Sequence, residues 1–511
     1  MNKTTPFALL LLVSTVVGQP STTPARPTFA EHIGPLVRQS CMDCHRPQGP
    51  APFALVTYTD VAKRADMLKA VIETRYMPPW HPADQSDHFL SNRRLSDDQI
   101  ALFTKWVETG KTRGDLSKMD KPKKYPGGWS LGKPDLVVKM RKPFRVPADG
   151  RDLYRFFVVP IDLPEDKWVK AVEMRPSARS VVHHALFFLT ESSDQDEYEG
   201  DTGRRGFGGL RGFRGGAFGR GFEIRGLGGY VPGNQPQFLR DDLALELPKH
   251  HDLLMQMHFH PSGKAETERS TIGIWFADEP PSQRIKQIQL PSLFGFMTGL
   301  DIPAGESNYK IEQSLTLPVD VDGISVGGHA HYICSTMHLT AKLPDGSTKT
   351  LLHIPEWDMD WQTEYHYKDR LPLPAGTELK CEITYDNSAQ NPANPNSPPI
   401  RVRWGRQSTD EMGSVTLRVV AKNEADTDRL NDAIEQSMIE SLSKRFGGLG
   451  GLGGFGRGGS SGRGGRSLDR FDKNNDGKIV PDELPSVLRK RHMRRYDKNK
   501  DGVIDAEEMK G

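Results

Sequence analysis

The residues best suited to chemistry are His329-Ala330-His331 and, about eighty positions later, Asp410-Glu411-Met412. Two imidazoles at i and i+2 of an extended segment emerge on one face, so both can reach a single metal. A thioether from a distant segment completes a set of two imidazoles and one sulfur. Thioether sulfur is soft, and such a set favours copper cycling through Cu(I) over zinc, magnesium or calcium.

Three other histidine groups lie upstream. Val181-Val182-His183-His184-Ala185 places two imidazoles next to each other. On a regular strand they face opposite ways, so both reach one metal only with a bulge or with mixed Nδ1/Nε2 ligation. Alone, the pair fits a structural role as well as a metal-binding one. In Gln256-Met257-His258-Phe259-His260 the spacing is again i and i+2. His250-His251 follows Pro248-Lys249 and is set aside as an exposed turn.

Near the N-terminus, Cys41-Met42-Asp43-Cys44-His45 is a C-x-x-C-H sequence, the attachment signature of c-type haem. Cys41 and Cys44 would carry the covalent bonds, and His45 would bind the iron. Met77, in Arg75-Tyr76-Met77-Pro78-Pro79-Trp80, is the expected second axial ligand, because a Met/His pair raises the haem potential and suits electron transfer. Met67, His81 and His88 are alternatives, with Met67 placed inside a helix as packing. Amphipathic helices are expected over 60–74, with Thr59 as N-cap, and over 96–110, with Ser96 as N-cap. The helical haem domain would span 27–118, and it resembles the single-haem cytochrome c domains of bacterial multidomain proteins, which also carry Met-Pro-Pro-Trp.

At the other end, two twelve-residue loops have the oxygen-ligand spacing of EF-hands. Asp472, Asn474, Asp476, the Lys478 carbonyl and Glu483 would hold one calcium. Asp497, Asn499, Asp501, the Val503 carbonyl and Glu508 would hold a second. Gly477 and Gly502 supply the sharp turns, and a short helix over 484–496 would be shared by the pair.

These groups need scaffolds. The 511 residues are too many for one core. With 68 basic and 66 acidic residues, the formal charge of +2 gives no field for a nucleic-acid partner. Residues 1–18 read as a secretory signal, with Lys3 before an apolar run over 7–17, so the mature chain is expected to be exported, periplasmic or extracellular. No other segment is long and apolar enough to span a bilayer, so no transmembrane segment is expected in the mature chain. Between 129 and 422, short Val/Phe/Leu/Ile runs alternate with Pro/Gly/Asp turns, at 135–140, 154–159, 181–189, 253–259, 325–339, 379–385 and 413–420. That pattern reads as two tandem antiparallel β-sandwiches, 129–285 and 286–422. A Gly/Arg/Phe-rich insert over 200–229, with six arginines, reads as a disordered loop in the first. Residues 423–466, Gly-rich from 446, read as a linker, and 467–511 as the EF-hand pair. Cys334 and Cys381 could form one disulfide.

In order along the chain, Val-His-His, Gln-x-His-aromatic, His-x-His and Asp-Glu-Met resemble the motifs of the type II copper, ascorbate-dependent monooxygenases, the peptidylglycine alpha-hydroxylating and dopamine beta-monooxygenase-like family. The resemblance covers roughly 129–422. The stretches Ile354-Pro355-Glu356-Trp357, Tyr385-Asp386-Asn387-Ser388 and Trp404-Gly405 resemble its bacterial branch. It implies two jelly-roll-like sandwiches with one copper each. His183, His184 and His258 would hold an electron-transfer copper, with His260 left as a competing ligand or a supporting group. His329, His331 and Met412 would hold the copper that reacts with O2. His338, His353 and His366 match no ligand position.

The implied activity is hydroxylation of a C–H bond of a small-molecule substrate by O2. The reductant would be ascorbate or electrons reaching the coppers through the haem, whose domain could dock a donor or acceptor protein. The amidating members carry an Arg two residues before His-x-His, and an Asn and a Tyr two and four residues after the Met. This chain has Gly327, Ser414 and Thr416 there. The anchor for a peptide carboxylate is missing, and peptide amidation is not expected. The rival expectation is a copper/haem electron-transfer or copper-binding protein of the same fold without hydroxylase activity.

Overall fold

The computed structural model describes residues 24–83, 88–121, 123–191, 226–233, 235–240, 243–445, 478–481, 483, 499 and 501–505. The secretory signal, most of the Gly/Arg insert and most of the C-terminal tail therefore lie outside the described residues. By contacts the chain divides into two units, one of 1–80 with 93–123 and the other of 81–92 with 124–511.

The described part of the first unit contains helices and turns. They are a short turn at Phe29–Ile33, then α1 (Gly34–Ser40), α2 (Tyr58–Ala62), α3 (Ala65–Glu73) and α4 (Asp97–Glu108). The expected single helix over 60–74 is two. Thr57, not Thr59, caps it: its hydroxyl accepts from Asp60 N at 3.1 Å while its own N–H donates to Asp60 Oδ2 at 3.0 Å. The break falls at Arg64 (φ −114°, ψ 6°), whose guanidinium sits 4.5 Å above the Phe53 ring. Ser96 caps α4 through the same reciprocal pairing, with Gln99. Phe29, Ile33, Leu36, Leu68, Ile72, Phe103 and Trp106 form the core. Met67 is 46% exposed and does not pack, because the buried stripe of α3 runs through Ala65, Leu68 and Ile72.

In the second unit every pairing between strands is antiparallel. The first half contains β1 (Leu136–Lys139), β2 (Phe144–Val146), β3 (Leu153–Val159), β4 (Lys167–Arg175) and β5 (Val182–Glu191). It continues with β6 (Gly226–Tyr230), β7 (Leu245–Leu247), β8 (His251–Phe259), β9 (Glu266–Glu268) and β10 (Thr271–Phe276). Two four-stranded sheets, β1-β10-β4-β7 and β3-β8-β5-β6, share one apolar core of Met174, Ile272 and Ile274 against Phe157, Phe187, Met255 and Phe259. This is a sandwich. The last residues of the segment read as a disordered insert form β6, because Leu227 is buried and Gly229 lets the backbone close on Ala185.

The second half has β11 (Ile285–Leu290), β12 (Asp301–Ile302), β13 (Tyr309–Thr316), β14 (Val321–Ala330) and β15 (Cys334–Lys342). It ends with β16 (Thr348–Ile354), β17 (Glu364–Leu373), β18 (Glu378–Tyr385), β19 (Val402–Arg403) and β20 (Gly413–Ala421). Its main sheets are β11-β20-β14-β17 and β13-β18-β15-β16. Ile285 already pairs with Val420, so the boundary lies just before it. Cys334 and Cys381 are free buried thiols. Cys334 stands opposite Tyr385, four residues along β18 from Cys381, so the two are not bridged. The segment from 423 read as linker instead carries α5 (Thr427–Arg445). Leu430, Ala433, Ile434 and Ser437 follow helical spacing there, Leu430 is fully buried, and Ser437 Oγ accepts from Gln313 Nε2 at 3.1 Å. Among the described residues no helix is long and apolar enough to cross a membrane.

Candidate metal centres

The register of β5 on β8 shifts between Val182 and His184, so His183 sits in a bulge. The bulge breaks the alternation that would send neighbouring side chains to opposite faces. His183 Nδ1 lies 3.2 Å from His184 Nδ1, and His258 Nδ1 lies 3.4 Å from the same atom. The three imidazoles are a group whose donor atoms all lie within 4.8 Å of one another. Mixed ligation is not needed, since all three converge through Nδ1.

These contacts suit a cation. A metal about 2.0–2.1 Å from each imidazole nitrogen, at tetrahedral or trigonal angles, sets the nitrogens about 3.3–3.6 Å apart. Burial lowers the pKa of all three rings, which favours their neutral forms, each with one nitrogen lone pair to offer.

His258 is held on two sides. Its ring stacks on Tyr154, its register partner on β3, at 4.2 Å and 11°. Its Nε2 lies 3.0 Å from Asp152 Oδ2, in a bent contact short of a well-aligned hydrogen bond. His260 Nδ1 lies 2.7 Å from the other oxygen of Asp152. His260 is half-exposed and stands outside the three-imidazole group, in contact with the carboxylate that backs it. Burial pushes the Asp152 carboxyl up, but His258, Ser408 and His260 hold it well below the usual carboxylate range.

The second set sits where β14 runs out. His329 Nδ1 is 2.5 Å from Gln362 Oε1, and Gln362 is itself fixed by donating to Met359 O at 3.0 Å. The amide oxygen can only accept, so Nδ1 carries the proton and Nε2 keeps its lone pair. That Nε2 faces Met412 Sδ at 3.2 Å. Neither atom has a proton to offer, so the pair is suited to a soft cation between them. His331 Nδ1 donates to Asp410 O at 3.2 Å, which leaves its Nε2 free in the same way. The two rings are 5.6 Å apart.

Glu411, between the motif's Asp and Met, is fully buried and accepts N–H bonds from His331 (2.7 Å), Met412 (2.8 Å) and Ile333 (3.2 Å). One side chain thus pins the end of β14 to the residue carrying the sulfur. Burial pushes its carboxyl up to about 8, against the pull of those donors. Gly413 is required beside Met412, because a Cβ there would come within 2.3 Å of Tyr385 Oη. The other motif stretches brace the same region. Trp357 Nε1 donates to His331 O, buried Asn387 bonds to Pro303 O and Ile400 O, and Trp404 Nε1 donates to Phe294 O. Phe294, in a left-handed stretch with Leu293 and Gly295, lays its ring 5.2 Å from His329.

The two sets are neighbours: the rings of His184 and His329 are 5.7 Å apart at 86°. Sequence reasoning singled out the six side chains that the structure brings together in these two sets but missed Asp152, Tyr154, Gln362 and Phe294, and took Glu411 only as part of a motif. His338 and His353 pair across β15 and β16, 4.8 Å apart and on the sheet opposite the donor set.

In the helical unit, His45 Nδ1 lies 3.0 Å from Phe53 O, which fixes the proton there and leaves Nε2 for a metal. Cys41 and Cys44 are half-buried and not joined in a disulfide, and burial pushes the Cys41 thiol up to about 12. Met77 follows α3 and donates its N–H to Val71 O at 3.0 Å. The alternatives His81 and His88 fall in 81–92, which belongs to the β-rich unit through Ala83 N to His353 O, Leu90 N to His366 O and the Phe89–Tyr367 bridge.

In the tail, Ile479 and Ile504 exchange both backbone hydrogen bonds at 2.9 Å, joining the two loops at the same loop position. Asn499 and Asp501 bond one another, Val503 N donates to Asp501 Oδ1, and Gly502 takes φ 89° at the sharp turn. Glu483 is buried and accepts from Val480 N. Lys478 lies beside Ile479, while Asp472, Asn474, Asp476, Asp497 and Glu508 lie outside the described residues.

A search of curated proteins gives no match. Among solved structures the chain is similar to infectious bursal disease virus, Gx strain (8% identity, 57% of this chain and 75% of that one, TM-score 0.18). It is also similar to peptide-N(4)-(N-acetyl-beta-D-glucosaminyl) asparagine amidase (10%, 56% and 97%, TM-score 0.24). PNGF-II is a third (10%, 56% and 65%, TM-score 0.25). TM-scores of this size carry nothing over to this chain. The family described as EF hand matches residues 466–488 and 491–511, which makes the tail an EF-hand pair and supports calcium binding there.

Proposed function

We propose that the chain is an exported copper-dependent monooxygenase that hydroxylates a C–H bond of a small molecule, fused to a c-type haem domain of the all-α cytochrome c kind and to the calcium-binding tail. One observation carries the proposal: His183, His184 and His258 converge through Nδ1 at 3.2–3.4 Å, one ring contact away from a His-His-Met set whose Nε2 and sulfur face each other. His183, His184 and His258 would hold one copper, His329, His331 and Met412 the other. His45 and Met77 would hold the haem iron, with Cys41 and Cys44 bonded to the macrocycle.

Bound copper would supply one-electron chemistry with O2, and the haem a route for electrons alongside ascorbate. The protein's share is orientation. Gln362 and Asp410 fix which nitrogen of His329 and His331 is offered, Glu411 fixes where Met412 stands, and Phe294 covers one side of His329. With Gly327, Ser414 and Thr416 in the places of the peptide-anchoring residues, the substrate is not a peptide carboxylate.

The test is metal content with oxygen uptake on the purified full chain. Two coppers and one iron per chain, with calcium in addition, are expected. Met412→Leu, which keeps volume but removes the sulfur, is expected to abolish reductant-driven, substrate-dependent O2 consumption and leave the haem spectrum unchanged. Copper bound at both sets with no hydroxylation across a broad substrate panel would favour a copper/haem electron-transfer protein instead.

A further inference from the structure

Asp152 stands outside every motif, yet it touches both halves of the β-rich unit. It precedes β3 in the first sandwich. Its side chain is 7% exposed, with Oδ2 3.0 Å from His258 Nε2 and Oδ1 2.7 Å from His260 Nδ1. The same Oδ2 accepts from Ser408 N at 3.0 Å and from Ser408 Oγ, and Gln407 Nε2 donates to Asp152 O at 3.5 Å. Ser408 and Gln407 belong to the second sandwich, in the loop between β19 and β20. That loop leads straight into Asp410, whose carbonyl holds His331, and into Met412.

Within that loop Gln407 N donates to Asp410 Oδ2 at 3.1 Å, and Asp410 N donates to Gln407 O at 2.8 Å. A continuous path of polar contacts therefore runs from His258, by its 3.0 Å approach to Asp152, through the hydrogen bonds of Asp152 to the 407–410 turn and on to His331. No other carboxylate among the described residues touches a ligand ring of one set and the ligand-bearing loop of the other.

We infer that Asp152 is a positioning residue with two tasks: it turns His258 so that Nδ1 enters the three-imidazole centre, and it ties that centre to the loop that carries Met412. The inference rests on the two-copper proposal above for its metal. A carboxylate beside Nε2 keeps the ring proton on that side, so Nδ1 is the donor. Its negative charge raises the basicity of the ligand and stabilises the higher oxidation state of a bound metal.

Asp152→Asn keeps the size of the side chain and removes the charge. Cu(II) competition titrations on the full chain are expected to show affinity at the three-imidazole centre lowered about 10–100-fold, with the His-His-Met set unaffected. The reduction potential of the affected copper is expected to shift positive. Unchanged affinity and potential would reduce Asp152 to a structural contact. Asp152→Ala, which removes both Ser408 bonds, tests the tie: continuous-wave EPR of the protein with Cu(II) at both sets is expected to show a wider spread of copper–copper dipolar coupling than in Asp152→Asn, and an equal spread would overturn that task.

The metal-free protein gives a further readout. Nitrogen NMR of His258 is expected to report the Nε2–H tautomer in wild type and its loss in Asp152→Asn, and an unchanged tautomer would overturn the first task even if copper never binds. Wild type that binds no copper while losing the tautomer on substitution would sink the monooxygenase proposal and leave the positioning of His258 standing.

Discussion

The three-imidazole set and the His-His-Met set differ in which ring nitrogen is offered and in what supports it. The first is built on paired strands, uses Nδ1, and is backed by a charged carboxylate, Asp152, and a stacked ring, Tyr154. The second lies at a strand end and a loop, uses Nε2, and is backed by the neutral oxygens of Gln362 and Asp410. A carboxylate behind an imidazole favours Cu(II), whereas a neutral oxygen and a thioether favour Cu(I). The nearest rings of the two sets are 5.7 Å apart, so on the proposed function copper bound at both would meet opposite biases at neighbouring sites.

The largest way to break this comparison is His184→Ala, which removes the nitrogen that both neighbours face. Elemental analysis is expected to fall by one copper per chain, with the EPR signal of the remaining site unchanged. Loss of both coppers would mean that the two sets are one cluster. Next in size is Glu411→Ala, which leaves three backbone N–H groups of the second set unpaired. At about 1–3 kcal/mol for each buried orphan, a loss of roughly 3 kcal/mol or more is expected, read as a drop in Tm of about 6–12 °C. Glu411→Gln keeps the acceptor and is expected to change Tm little. Smaller again is Gln362→Leu, which frees the His329 proton to move to Nε2. Copper affinity at the second set is expected to fall about 10–100-fold by chelator competition, with no change at the first.

Much of this was legible in the sequence. Spacing predicted that His329 and His331 share a face, and it asked for either a bulge or mixed Nδ1/Nε2 ligation at His183-His184, of which the strand register supplies the bulge. The same residues could not announce Asp152 or Gln362, because each reaches its imidazole across more than thirty positions and neither belongs to a periodic pattern. Thr57-x-x-Asp60 could have moved the helix start from Thr59, and Leu430, Ala433, Ile434 and Ser437 carried the period of α5, which the neighbouring Gly-rich stretch masked. Cys334 and Cys381 could not be separated on paper, since only the register of β15 on β18 sets them apart.

The smallest expected effect is a pH profile that also separates the two supports. Burial, with help from neighbouring imidazoles, lowers His183 to about 3, and burial lowers His329 to about 4 although Gln362 pulls it up. In the unfolded chain both titrate near their ordinary value of about 6.5. As pH falls from about 6.5 toward 4, the unfolded chain takes up protons that the folded metal-free protein refuses, so stability declines. Glu411 acts in the opposite sense. Its folded value of about 8 lies above the unfolded carboxyl range, so the stability tied to its neutral form is present at low pH and is lost as pH rises from about 4.5 to 8. Metal-free protein followed by thermal unfolding is expected to be most stable near pH 6. Glu411→Gln, which cannot ionise, is expected to flatten the alkaline side alone. A wild-type profile already flat from pH 6 to 8 would mean that Glu411 stays charged in the folded state, with its backbone donors outweighing its burial.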